Sequence, residues 1–165
     1  MNGSLGGELR SRVIAAAEQL EWIPDATASL RPAPGKWSPK EVIGHLIDSA
    51  CNNHSRFVRS RLEDGLEFPG YEQDAWVTAQ DYMSADWAEL VTLWRAYNLH
   101  IARIVDLIPA DVLVAPRPMH NLDVIAWRTV PREQPVTLEY FIRDYIAHLE
   151  HHLEQIKQLQ PRTAN

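Results

Sequence analysis

The chain has 165 residues, enough for one domain built around one sizeable core. Hydrophobic residues at 45% and charged residues at 23% are ordinary for a globular protein, and the net charge of −6 argues against nucleic-acid binding, which needs a basic surface. Cys51 is the only cysteine, so no intrachain disulfide forms; no apolar run reaches the roughly 18 residues of a membrane span, and no signal-peptide pattern opens the chain, so the cytoplasm is the expected location.

The first seven residues read as a mobile tail. A first helix is predicted from about Glu8 to Ser29, because Val13, Ala16, Ala17, Leu20 and Ile23 recur at helical spacing, with Pro24 kinking or ending it. Arg31 to Lys36, with two prolines and a glycine, is a connector. The second helix has the clearest start. Ser38 fits the N-cap, Pro39 the first turn, and Glu41 completes a capping box, with Trp37 placed to staple onto Val42. Its apolar side comprises Val42, Ile43, Leu46, Ile47, Ala50, Phe57 and Val58, and it runs to about Glu63.

Phe68, Pro69 and Gly70 make a turn, and a short helix is expected around Asp74 to Ala79. Ser84 is placed to cap a third long helix that runs to Ile108, where Pro109 stops it. Residues 109–135 hold Pro109, Pro116, Pro118, Pro131 and Pro135 and form a long crossover, predicted to cover one end of a pocket, with a strand-like piece over Val124 to Val130. Thr137 opens a fourth helix to about Gln160. Four long helices with two long connections predict an all-α protein, a four-helix bundle with long crossover connections that is not simply up-down-up-down.

The chemistry lies on two of these helices. On the fourth, Phe141, Tyr145, His148, His152, Ile156 and Leu159 share one stripe, so two imidazoles at i and i+4 interrupt the core-facing side. Burying them costs free energy unless each finds a partner, and a metal ion is one such partner. His45, on the second helix, is a third imidazole that closes the set if the apolar faces of the two helices pack together. Three nitrogen ligands with a fourth position left open describe a catalytic divalent-metal site. Spacing alone is equally met by two surface histidines. His54, His100 and His120 read as ordinary polar residues, with a fourth ligand or a pocket residue as the alternative for His120, and His151, about 100° away on the helix, reads as facing solvent or as a partner behind the ligands.

His45 aligns with Ser49, Asn52 and Arg56 at successive turns, which sets a hydroxyl, an amide and a guanidinium along one cavity wall. The guanidinium suits a carboxylate. Asn52, Arg56 and, by location, Tyr71 are the candidate contacts for a small-molecule substrate. Asp48 is the candidate to accept a hydrogen bond from a ligand imidazole. Cys51 points away from this line and reads as a buried thiol. The sequence lacks a Gly-rich phosphate loop, a Gly-x-Ser-x-Gly elbow and a His-Glu-x-x-His helix.

These residues carry a resemblance. Trp37, Ser38, Pro39, Glu41, His45 and Leu46, then Asp48, Ser49 and Asn52, then His148, His152, Gln155 and Ile156, resemble in order and spacing the DinB-like superfamily, near its YfiT-like metal-dependent hydrolases. Phe68 to Tyr71 with Trp76 matches the family's middle segment, so the resemblance covers nearly the whole chain. It implies a four-helix bundle with a divalent cation, commonly nickel or zinc, held by His45, His148 and His152. Characterised relatives include S-transferases that use low-molecular-weight thiols such as bacillithiol or mycothiol and a thiol-dependent isomerase, and many members are homodimers.

Two functional readings follow. In the first, a trihistidine-held cation activates water for hydrolysis or a thiol for transfer. In the second, the protein is a non-catalytic metal- or small-ligand-binding module associated with stress. The residues leave hydrolase and transferase open.

Overall fold

The computed structural model describes residues 3–159. Among them are four long helices, α1 (Leu5–Leu20), α3 (Pro39–Leu62), α5 (Trp87–Asp106) and α8 (Leu138–Gln158). Four short ones lie in the connections: α2 (Asp25–Ala28), α4 (Gln73–Gln80), α6 (Ala110–Val114) and α7 (Leu122–Ile125). A 3₁₀ turn spans Tyr82–Ser84.

The long helices form a ring in which α1 packs on α5, α5 on α3, α3 on α8 and α8 on α1. Their directions follow from contacts at their ends. Gly6 lies against Ala102 and Asp106, while the Trp87 indole donates to the Leu20 carbonyl, so α1 and α5 are antiparallel. His54 meets Tyr97 and His100 while Lys40 and the Trp87 N–H share Asp25, so α3 and α5 are parallel. His45 meets His152 while Phe57 packs edge-on to Phe141, so α3 and α8 are antiparallel. In chain order the bundle runs up-down-down-up. Parallel neighbours α3 and α5 need a connection that retraces the bundle, about 36 Å for the 24 residues of α3. That returning connection, which includes α4, carries Tyr71, Gln80 and Tyr82 past the site.

The capping box at Ser38 and Glu41 forms as expected: the Ser38 hydroxyl accepts from the Glu41 N–H, and the Glu41 carboxylate accepts from the Ser38 N–H. Arg31 adds a two-pronged ion pair to Glu41, at 2.9 and 2.5 Å. Burial works against the Glu41 charge, but Arg31 and Ser38 more than offset it and hold the carboxyl below its usual range.

Several boundaries differ from the sequence expectations. The first helix stops at Leu20, and Pro24 opens the separate α2 rather than a kink, so Glu8–Ser29 is not one helix. At its other end α1 begins at Leu5 under a Ser4 cap, so the expected tail is helical from Leu5; Met1 and Asn2 lie outside the described residues. Asp86, not Ser84, caps α5; its carboxylate accepts from the Glu89 N–H, while Ser84 closes the 3₁₀ turn. Both segments offered a capping side chain, and the αL backbone of Asp81 commits the first to the 3₁₀ turn.

The strand expected over Val124 to Val130 is absent; α7 takes its start, and the only ladder contacts among the described residues are isolated bridges at Leu66 with His120 and Arg117 with Val136. α8 ends at Gln158, and Gln160 lies outside the described residues.

The crossover is tied down by polar groups rather than by regular structure. The Arg117 guanidinium donates to the carbonyls of Ser60 and Glu63 at the end of α3. The Asn121 side chain bonds both the N–H and the carbonyl of Phe68. His120 is buried between the Gln134 carbonyl and the Leu122 N–H, which fixes it as a structural residue of this segment.

Candidate metal centre

The antiparallel packing of α3 on α8 brings His45, His148 and His152 together, with one ligand nitrogen from each within 4.8 Å of the others. His148 Nε2 lies 3.2 Å from His45 Nε2 and 3.0 Å from His152 Nε2. Donors about 3.4 Å apart are what three nitrogens at roughly 2.1 Å from a tetrahedral cation require.

The protonation chemistry favours the same partner. Burial, with a smaller contribution from the charge of His152, pushes His45 down to about 3, and burial with the three neighbouring histidines pushes His148 down to about 3. His152 is also lowered, chiefly by burial. Neutral imidazoles each carry one proton. His152 spends its own on Gln155, whose Oε1 accepts from Nδ1 at 2.8 Å, so its Nε2 lone pair faces the centre. At most one proton can then bridge three converging Nε2 atoms without charging a ring. A cation satisfies all three, and the donor set therefore fits one.

The surrounding side chains orient the rings. Trp37 lies 5.0 Å from His45 and 6.5 Å from His152, centroid to centroid, and roofs the set instead of only stapling onto Val42. Gln155 bridges His152 and His151, with its Nε2 3.1 Å from His151. His151 itself is exposed, as its 100° offset on the helix predicts.

Asp48 does not reach a ligand imidazole. One of its oxygens accepts from the Tyr82 hydroxyl and from Gln80, both at 2.7 Å, and the other is buried without a partner, as is His45 Nδ1. The returning connection that delivers Tyr82 is not foreseeable from helical spacing. Gly44 makes this approach possible, because a Cβ there would fall well under 3.0 Å from the Tyr82 ring.

Two cavities flank the ring of histidines. An inner chamber of about 130 Å³ touches His148 and is lined by Ser49, Asn53, Arg56, Tyr71, Asp144 and Tyr145, among others. An outer groove of about 490 Å³ touches His152 and is lined by Trp37, Asp74 and Gln155. A larger groove of about 550 Å³ between α1 and α8 contains none of the three ligands.

Of the expected substrate contacts, Arg56 and Tyr71 line the inner chamber, whereas Asn52 turns back to the Asp48 carbonyl of its own helix and Asn53 takes the lining position. The one-residue difference is about 100° on a helix, finer than stripe-reading resolves. Cys51 is exposed rather than buried.

Asp144, one turn before His148, was missed. It is buried, and its two oxygens accept from the N–H groups of Trp127 and Arg128, which pins the crossover against the chamber. Its signal is visible in hindsight: a carboxylate four residues before a ligand histidine on the core-facing side.

A three-histidine centre between two helices of an up-down-down-up bundle narrows the comparison with known proteins. The family model of the DinB superfamily matches residues 8–156. The chain belongs to the DinB superfamily. Within it, the chain is similar to YfiT of Bacillus subtilis (strain 168), at 23% identity over 157 residues, which cover 88% of this chain and 76% of YfiT.

The solved structure of YfiT, described as a probable metal-dependent hydrolase with an unusual four-helix bundle topology, superposes with a TM-score of 0.75. The superposition has 22% identity and covers 92% of this chain and 82% of that one. The likeness establishes this DinB-superfamily protein as a four-helix bundle. No described helix is long and apolar enough to cross a membrane.

Proposed function

We propose that this protein is a divalent-metal-dependent enzyme that hydrolyses a small molecule, with His45, His148 and His152 as the metal ligands and nickel or zinc as the cation. The observation that carries the reading is the convergence of three neutral ring nitrogens at ligand spacing between two open cavities. A cation held by three imidazoles with an open position acts as a Lewis acid and lowers the pKa of a coordinated water or thiol.

The protein's own residues do the rest. Gln155 holds the His152 ring with its lone pair inward. Trp37 shields the His45 side of the centre from water. Asp144 fixes the segment that closes the inner chamber. Arg56 and Tyr71 line the wall a substrate would meet.

Thiol S-transfer is the second reading. It is favoured by the two separate cavities, one at His148 and one at His152, which admit two reactants from different sides.

The test is metal content together with turnover. The purified protein is expected to carry or take up one equivalent of nickel or zinc, and His45→Ala to bind less than a tenth of it with its helical content unchanged. Stoichiometric metal in His45→Ala removes His45 from the site. Metal-dependent hydrolysis of small esters and amides without added thiol supports hydrolysis; strict dependence on a thiol such as bacillithiol supports transfer.

A further inference from the structure

We infer that the inner chamber is an anion subsite, in which Arg56 holds the carboxylate, or an equivalent small anionic group, of a substrate whose reacting end lies toward His148. This deepens the proposed function and rests on it only in assigning the other end of the ligand to the metal centre.

Arg56 is 5% exposed, and its charge is uncompensated: among the described residues no carboxylate lies within the 4.0 Å of an ion pair. Buried charges are ordinarily paired, because desolvating an ion alone is expensive. Of the five guanidinium N–H groups, one goes to the Pro69 carbonyl at 2.9 Å and one to Asn53 Oδ1 at 3.4 Å. Both acceptors are neutral, the remaining donors have no partner among the described residues, and Arg56 lines the chamber.

Asp144 is the other charged group on that wall, but its oxygens are held by two backbone N–H groups and it forms no ion pair with Arg56. Tyr71, whose phenol burial pushes up to about 12, stays a hydroxyl donor beside the guanidinium. A planar fork with a neutral hydroxyl beside it matches a carboxylate.

Size and distance set the class of ligand. The chamber's roughly 130 Å³ is well below the roughly 300–1,000 Å³ of drug-sized pockets, so the group held is small. His45 and Arg56 are eleven residues apart, about 16 Å along the helix. The arginine leans toward the N-terminal end, which brings its guanidinium to the order of 10 Å from the ligand ring. The expected ligand is a short-chain acid whose reactive group lies several bonds from its carboxylate.

The probe is a matched pair, butyrate and butyramide, titrated into the chelator-treated protein and followed by backbone amide shifts. Butyrate is expected to shift residues around Arg56, Asn53 and Tyr71, and butyramide to bind at least 10-fold more weakly. Arg56→Gln should weaken butyrate by 10-fold or more while metal uptake at His45, His148 and His152 stays stoichiometric, and Arg56→Lys should fall between. Equal binding of acid and amide, butyrate shifts confined to the α1–α8 groove, or an unchanged Kd in Arg56→Gln each overturn the inference. If Arg56→Gln does not fold, the acid-against-amide comparison on the unmutated chain decides alone. Carboxylate binding without metal uptake removes the proposed function and leaves the subsite; metal uptake without carboxylate binding does the reverse.

Discussion

Gly44→Ala sets two well-understood effects against each other next to the first ligand. In an exposed helix interior the substitution stabilises by about 1 kcal/mol, through helix propensity. Here the new methyl falls well inside contact distance of three Tyr82 ring atoms. The ring is held, since its hydroxyl donates to the Asp48 carboxylate at 2.7 Å and lies 2.9 Å from the Gln80 side-chain oxygen. Relief requires either a shift of α3, which carries His45, or withdrawal of Tyr82.

Overpacking costs about 1–3 kcal/mol, and loss of a hydrogen bond to a carboxylate about 1.5–3 kcal/mol. After the propensity gain, the net destabilisation is about 1.5–5 kcal/mol. Urea denaturation of the chelator-treated protein measures it. In a Tyr82→Phe background, where the hydroxyl is already gone, the cost should shrink by about 1.5–3 kcal/mol as the coupling between neighbours demands. A Gly44→Ala protein that is neutral or stabilised by the propensity amount would falsify the close packing of Tyr82 on α3.

The remaining predictions concern metal, acid and the crossover. Removing a cation held at 1,000-fold above its Kd should lower stability by about 4 kcal/mol, a fall in Tm of roughly 8–16 °C for a chain of this size, with far-UV helicity retained because the bundle core forms without the site; loss of helicity on chelation alone would mark the metal as structural. Glu41→Gln should cost about 1–2 kcal/mol through the weakened capping box and ion pair.

Because the folded Glu41 carboxyl lies below its ordinary 4.5, its contribution is fully present above that pH and is lost as pH falls through the folded value. Glu41→Gln should therefore flatten the fall in stability below about pH 4.5, and an unchanged acid slope in pH-dependent urea titrations would contradict the assignment. Asp144→Ala strands the N–H groups of Trp127 and Arg128; a cost of about 2–4 kcal/mol and faster amide exchange at those two residues are expected, and exchange unchanged from the parent would remove Asp144 as the anchor of the crossover.

The bundle was legible because helix signals are local. Ser38, Pro39 and Glu41 announce the start of α3 within four residues, and the stripe from Phe141 to Ile156 fixes which side of α8 is buried. The histidine pair on α8 follows from the same geometry, since i and i+4 share a face in any helix. Where two local signals competed, as with Ser84 and Asp86, sequence alone had no means to choose, because the αL turn at Asp81 directly precedes Tyr82, whose ring packs on Gly44 of α3 far back in the chain.

Choosing among partners across elements needed the tertiary structure. The sequence offered Asp48 to an imidazole by proximity on one helix; the fold delivered Tyr82 and Gln80 from the returning connection and took that carboxylate first. It likewise turned Asn52 back onto its own backbone, placed Asn53 on the chamber wall, and left the face of Cys51 exposed.

By itself, then, the sequence determined the helices, their buried faces and three imidazoles able to meet, because these depend on periodicity and caps within a few residues. Only the tertiary structure decided the up-down-down-up order, the two cavities, and the lack of an ion-pair partner for Arg56 among the described residues. Those depend on groups tens of residues apart in the chain, whose approach is set by packing.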